Sequence, residues 1–471
     1  MKGTQQPTEL WRFGAKALAE LIRFGKVSSR EVVAAHLDRI VQVNPKLNAL
    51  VNVLAEAGLQ AADSADRLVA SGTELGPLHG VPVTVKENID VFGSPTTQGT
   101  VSLANSMPHT DSPQVSQLRR AGAIVLARSN LPEFALRWHT DNDLHGPTIN
   151  PWNASVTPGG SSGGEAAALA TGMTPLGLGN DDGGSLRYPA QCTGIVSMKP
   201  GLGRVPRALA DPSSESTISH QLLNAEGPMA REVDDIRLAL DLLIQPDWRD
   251  PWHVPLPLER SGGANALRIA RVPDAALGTV SPQVSDGVDR AVRFLEAAGS
   301  IVEEAVPPRL QEATEIWGRI FMWDFKLVWD GLAPLLSTGT RNSMDALFEL
   351  YPGVDAMAHM ESFRRRLSFA RDWAEFQLRY PLILGPVSAK PPFPVGTDVT
   401  VDGLRSVVDS MRLVVSANLA GLPAMVVPVG VHTSLPQAVQ IIGRRYGEDL
   451  CLRAAAIIEE QARRLTPIDV H

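Results

Sequence analysis

Between residues 157 and 191 the chain reads Thr-Pro-Gly-Gly-Ser-Ser-Gly-Gly-Glu, then a run of small residues, then Gly-Leu-Gly-Asn-Asp-Asp-Gly-Gly-Ser-Leu-Arg-Tyr-Pro-Ala-Gln. Two serines, Ser161 and Ser185, each sit beside paired glycines and lie 24 residues apart. Glycine allows positive φ and close backbone approach, so each serine belongs to a tight, crowded turn. The small residues from Glu165 to Thr171 predict a closely packed helix, and Pro175 to Gly179 a strand that feeds the Gly183-Gly184-Ser185 turn. Upstream, Val81, Val83 and Val85 alternate as in a strand and place Lys86 at its carboxyl end, 75 residues before Ser161. In open α/β sheets, chemistry gathers at the carboxyl ends of strands.

A helix and a buried strand follow, and this strand and helix alternation argues for the α/β class; from about Arg207 to Ser410 the pattern is less regular. Leu18, Leu21 and Ile22 share one helical face; Ser28 and Glu31 form a capping-box pattern for a second helix ending near Val43, stopped by Asn44-Pro45. Leu50–Val53 reads as a strand, Gln114–Ala121 as a helix and Ala123–Ala127 as a buried strand. Residues 252–263 read as a surface connection, 284–298 as a helix, 300–304 as a strand and 311–380 as helical, with Trp317, Trp323, Phe325 and Trp329 among them. Met425–Val429 and Pro436–Gly443 read as adjacent strands, and Leu450–Arg464 as a closing helix.

Composition narrows the function. The chain has 471 residues, 44% hydrophobic and 20% charged, with a net charge of −8. That charge argues against nucleic acid or an anionic membrane as partner. Two cysteines, Cys192 and Cys451, make no disulfide framework and fit a reducing compartment. The first ten residues contain no apolar h-region, so a cytoplasmic location is expected. Leu413–Val431 is long and apolar, but Gly421, Pro423, Pro428 and Gly430 break it, as expected for buried loop and strand.

Lysine, serine and serine in this order and spacing resemble the amidase signature family, which hydrolyses amide bonds with a Ser–cisSer–Lys triad. The resemblance runs along the chain: residues 18–48, Gly80 to Asp90, Ser129 to Phe134 and Asn150 to Asn153 (similar to the family's acyl-pocket stretch), Gly194 to Pro200, Gly227 to Arg231, and Asn418 to Glu448. It implies one α/β/α sandwich around a large central mixed β-sheet surrounded by helices, hence a single catalytic domain over 1–471. Within it, 1–70 supply N-terminal helices, 75–205 the signature core, 207–410 a variable pocket region, and 411–471 the last strands and helix. Phe134, Ala135, Leu136 and Trp138 are the expected pocket residues.

The resemblance assigns roles that the chemistry needs. Amide hydrolysis requires an activated nucleophile, a proton for the leaving amine and a sink for the oxyanion. Ser185 is the expected nucleophile, Ser161 the proton relay after a cis peptide bond, and Lys86 the base. Lys86 must then be neutral, so burial must lower its pKa and activity should rise towards alkaline pH. The backbone N–H groups of Asp182, Gly183, Gly184 and Ser185 are the expected oxyanion hole, with Ser162, Asp181 and Arg187 in support. Asp181 is expected to pair with Arg187. Asp182 departs from the family's Thr-Asp-Thr pattern; its charge disfavours a nearby oxyanion unless it points away or is paired. Ser434-Leu-Pro-Gln-Ala also departs from the family's Gly-Leu-Pro-Ile/Val-Gly.

Competing readings are weaker. Gly159–Gly163 and Gly160–Gly164 both match the Gly-x-Ser-x-Gly elbow, but His220, His253, His359 and His432 lack a convincing context for it. No Gly-Lys-Ser/Thr ending and no His-Glu-x-x-His spacing occurs, so neither a phosphate cofactor nor a metal is expected. Expected substrates are small-molecule amides: primary amides, anilides and, as in some family members, esters or aryl carbamates (urethanes). The alternative is one component of a tRNA-dependent amidotransferase, releasing ammonia from glutamine. The family contains monomers and dimers.

Overall fold

The computed structural model describes residues 9–211, 215–259, 266–352 and 355–470. Its centre is one eleven-stranded mixed sheet. In chain order the strands are β1 (Leu50–Val53), β2 (Pro82–Lys86), β3 (Ile124–Ser129), β4 (Leu176–Asp181), β5 (Val196–Lys199), β6 (Ala225–Ala230), β7 (Arg268–Arg271), β8 (Ile301–Glu304), β9 (Leu382–Pro386), β10 (Ala424–His432) and β11 (Leu435–Gly443). They lie side by side as β1-β3-β2-β4-β6-β5-β10-β11-β9-β7-β8. β2 runs parallel to both β3 and β4, whereas β4 and β6 are antiparallel.

Side chains alternate across a strand, so each strand contributes to two cores. Val83, Val85, Leu176, Leu178, Met198, Met425, Val427, Val439 and Ile441 pack on one face with helices Ala15–Arg23, Val233–Leu243 and Glu448–Gln461. Met229, Ile383, Val426 and Ile442 face the other way, towards helices Arg187–Thr193, Ala313–Leu332 and Arg412–Leu419. This is the expected α/β/α sandwich. The same alternation turns Thr84 and Lys86 away from the Val83 and Val85 face.

Helix Gly163–Ala170 is buried at every residue. A Cβ on Gly164 would stand 2.5 Å from the Asn130 nitrogen, which explains the run of small residues there. The Ser28–Glu31 capping box is formed, but its helix does not stop at Asn44-Pro45. It continues to Leu47 with Pro45 inside, and Asn48 caps it in the left-handed region. The Asn44 side chain accepts from Ala49 and Leu50 N–H, so it braces the exit rather than ending the helix early.

The remaining expected elements are present, among them Pro113–Arg120, Pro282–Ala297 and Glu448–Gln461. Residues 252–259 are irregular, as a connection should be; the rest of that stretch, 260–263, lies outside the described residues. The departure near Ser434 is a two-residue hairpin between β10 and β11, with positive φ at both Thr433 and Ser434. Leu413–Val431 divides into helix and strand, and no helix among the described residues is long and apolar enough to cross a membrane. Cys192 and Cys451 are separate, buried thiols.

Candidate active site

Three neighbouring elements meet at the carboxyl ends of β2 and β4. Lys86 ends β2, Asn180 lies one residue before the end of β4, and the glycine-rich segment before helix Gly163–Ala170 crosses between them. Lys86 is fully buried, with Nζ 2.6 Å from Ser161 Oγ and 2.7 Å from Asn180 Oδ1. The Gly160–Ser161 peptide bond is cis. Gly160 is required sterically, because a Cβ there would lie 2.5 Å from the Arg137 carbonyl oxygen.

Burial pushes the Lys86 amine down to about 7, against the pull of Glu226, Asp182, Asp181 and Glu165. An ordinary lysine, titrating near 10.4, is neutral in only about one molecule in 2,500 at pH 7. Here the neutral amine is a major form at that pH and can accept a proton. Glu165 sits beneath it, bonded to the Thr84 and Ser129 hydroxyls, and burial pushes its carboxyl up to about 7.

Ser185 lies on the turn after β4 and lines a cavity of about 590 Å³. Its hydroxyl has no hydrogen-bond partner among the described residues, so Lys86 and Ser161 are joined directly while Ser185 Oγ is free. The turn is braced from within. Arg187 binds both oxygens of Asp181, at 3.0 and 2.9 Å, with both residues buried. Burial alone would push the Asp181 carboxyl up, but Arg187, Lys199 and Asn418 hold it well below the usual range.

Two indoles complete the brace. Trp317 Nε1 donates to the Asp182 carbonyl at 3.0 Å, and Trp138 Nε1 to the Gly183 carbonyl at 2.9 Å. In a planar trans peptide the N–H points opposite its C=O. Holding these two carbonyls therefore also fixes the N–H groups of Gly183 and Gly184. The expected donor set needs one correction: the Gly184 N–H is taken by Asp181 Oδ1 at 2.7 Å. The N–H groups of Gly183 and Ser185 have no acceptor among the described residues. Asp182 is paired, its Oδ2 lying 2.7 Å from His220 Nδ1. Ser162 Oγ is buried without a partner.

The four expected pocket residues, Phe134, Ala135, Leu136 and Trp138, all line the cavity. The upstream motif differs from expectation. Ser129 serves Glu165, and Asn130 binds Gly146 and Thr148. Asn150 and Trp152 hold the Cys192 and Thr193 carbonyls. These residues support the wall, and only Phe134 of the Ser129–Phe134 stretch reaches the cavity. The opposite wall is an aromatic ridge on helix Ala313–Leu332. Trp317, Phe321 and Phe325 stand at i, i+4 spacing, with ring centroids 5.0 and 4.7 Å apart. Trp138 meets Trp317 at 5.8 Å. That spacing was visible in the sequence and separates these rings from Trp323, which stacks on His359; Trp329, the next residue at the same spacing, packs on Phe348 instead of lining the cavity.

The elbow alternative gains no support. Ser161 Oγ is held by Lys86 and Ser162 Oγ has no partner, so neither loop serine is bonded to a histidine among the described residues. Among the described residues, no group of three metal-ligating side chains is found.

Comparison with known proteins identifies the family. The amidase family model matches residues 31–452. The chain is 39% identical to an indoleacetamide hydrolase of Bradyrhizobium diazoefficiens, over 96% of this chain and 87% of that one. It is 31% identical to a component of the glutamyl-tRNA(Gln) amidotransferase of Carboxydothermus hydrogenoformans, over 96% and 98%. A bacterial aryl acylamidase of the amidase signature family superposes with a TM-score of 0.83 at 26% identity, covering 97% of this chain and 96% of that one.

Proposed function

Because this chain belongs to the amidase signature family, and is thus a hydrolase of non-peptide amide C–N bonds, we propose that it cleaves primary amides of arylacetic-type acids through an acyl-enzyme on Ser185. The observation that carries this reading is the 2.6 Å contact between buried Lys86 and Ser161, set beside an aromatic-walled cavity that Ser185 lines.

Neutral Lys86 draws the proton of Ser161, which takes that of Ser185. Ser185 Oγ then attacks the substrate carbonyl. Charge on the tetrahedral oxygen is met by the N–H groups of Gly183 and Ser185, with Asp182 N–H in the same turn. Pairing with His220 keeps the Asp182 carboxylate from acting as an isolated negative charge beside that oxygen. The relay returns the proton to the departing nitrogen, and the same relay activates water against the acyl-enzyme. Ser185 need not contact Ser161 before substrate binds, since catalytic hydrogen bonds often tighten only in the complex.

The Trp317, Phe321 and Phe325 ridge suits a flat aromatic acyl group, worth about 0.5–1.5 kcal/mol per ring pair beyond burial. The indoleacetamide hydrolase relative fits that class. Glutamine, the substrate of the amidotransferase alternative, would bring a charged ammonium and carboxylate against this ridge. A kinetic panel tests the point: indole-3-acetamide, phenylacetamide, an anilide, an ester, an aryl carbamate, acetamide and glutamine. We expect the arylacetamides to exceed acetamide and glutamine in kcat/KM by at least about tenfold, the value of ~1.4 kcal/mol of ring contact. Preference for glutamine would contradict the assignment.

The base also fixes the pH response. The reaction needs Lys86 unprotonated, so log kcat/KM should rise with unit slope in acid, break near pH 7 and level off above it. A break near 10, where an ordinary lysine titrates, would contradict a buried neutral base.

A further inference from the structure

His220 uses only one of its two ring nitrogens. Nδ1 lies 2.7 Å from Asp182 Oδ2, while Nε2 has no partner among the described residues. The side chain is 31% exposed and lines the reactive cavity. Unlike Asp182 Oδ1, Nε2 is not sealed from solvent. The carboxylate selects the tautomer. A carboxylate oxygen only accepts, so the ring proton sits on Nδ1, and in the neutral ring Nε2 presents a lone pair. His220 is therefore an open acceptor in the cavity wall.

Two contacts set the side of the cavity on which it stands. Asp182 is shared: its carbonyl takes Trp317 Nε1 at 3.0 Å, and its carboxylate takes His220. The residue before His220 is tied to the same helix as Trp317, since Ser219 N–H donates to Asp324 Oδ2 at 3.0 Å. Asp324 lies between Phe321 and Phe325 in the chain. His220 thus borders the aromatic ridge. The departing nitrogen belongs elsewhere, because it must face Ser161 to receive the relay proton. The part of the substrate that reaches His220 is the acyl group lying on the ridge.

We infer that His220 is a specificity-determining residue, whose Nε2 accepts a hydrogen bond from a ring N–H of the aromatic acyl group, such as an indole or pyrrole carries. The inference rests on the proposed arylacetamide reading and narrows it, from any flat ring to one with a donor on its edge. A phenyl ring would cover Nε2 and displace its water without replacing the bond. A ring N–H replaces it. A polar site left unpaired in this way is what rejects an analogue that lacks the donor.

The test uses two amides of the same ring shape: indole-3-acetamide, and benzothiophene-3-acetamide, in which sulfur replaces the N–H. Their kcat/KM values are measured with the full chain and with His220→Phe at pH 8.5, where an imidazole is ordinarily neutral. The ratio of the two values is read, because depriving Asp182 of its partner slows both substrates alike. We expect the wild type to favour the indole by about tenfold or more. His220→Phe keeps a flat ring and removes the acceptor, so it should bring the ratio to about one. If His220→Phe fails to fold, His220→Ala is read in the same way. A wild-type ratio near one, or a preference that survives the substitution, would overturn the role of His220 and leave arylacetamide hydrolysis standing. Turnover of neither amide would contradict the proposed function, and this inference with it.

Discussion

Ser185→Ala should lower kcat/KM for an arylacetamide by at least about 10⁴-fold, the scale at which single nucleophile deletions act in relay hydrolases. The fold should not respond. The Ser185 hydroxyl has no partner among the described residues, and the turn that carries it is held by other groups: Arg187 on Asp181, Trp317 on the Asp182 carbonyl and Trp138 on the Gly183 carbonyl. Removing one oxygen from a residue that faces a cavity leaves no void in the core. The variant should therefore melt with the wild type and still bind substrate. Steady-state kinetics with a matched melting curve checks both halves. Retained turnover would show that another group attacks the carbonyl.

Lys86→Met should cost a comparable factor, about 10³-fold or more, since it removes the only basic nitrogen in contact with Ser161 among the described residues. It keeps the length and apolar packing of the lysine stem. It should also alter stability with a sign that a mere packing change would not give. In the wild type the folded-state amine titrates near 7 and the unfolded one near 10.4. Between these values the unfolded chain binds the extra proton, so this residue makes stability rise with pH from about 7 to about 10.4. Below pH 7 both states are protonated and the contribution is constant, at its least favourable. Methionine has no proton to bind, and the variant should lose that rise. Denaturant titrations at pH 7 and pH 9.5 would measure it. A variant that keeps the same pH dependence would show that Lys86 titrates normally.

Much of this site was legible because its chemistry requires special backbone. The glycine pairs, Ser161, Ser185 and the alternating strand before Lys86 are local signals, and the Asp181–Arg187 brace follows from residues six apart on one turn. What the sequence could not resolve depends on contacts between distant segments. Helix Ser29–Leu47 passes through Pro45 because Asn44 supplies side-chain bonds to the chain beyond it. The Gly184 N–H is lost to the oxyanion hole because Asp181 folds back onto it. Asp182 is tolerated because His220, 38 residues on, reaches its carboxylate. The aromatic wall was the nearest miss. Trp317, Phe321 and Phe325 form an i, i+4 stripe, but such stripes usually mark a helix packed on a core, and only the tertiary fold turns this one towards a cavity.

The central claim is a covalent acyl intermediate on Ser185, and intact-protein mass spectrometry of an acid-quenched reaction tests it most directly. With wild-type enzyme and an arylacetamide, the account predicts a mass increase equal to the acyl group minus one hydrogen, mapped by peptide digestion to Ser185 and absent from Ser185→Ala. Acyl label on Ser161 or Ser162 would contradict it, because that outcome belongs to the glycine-loop serine as nucleophile.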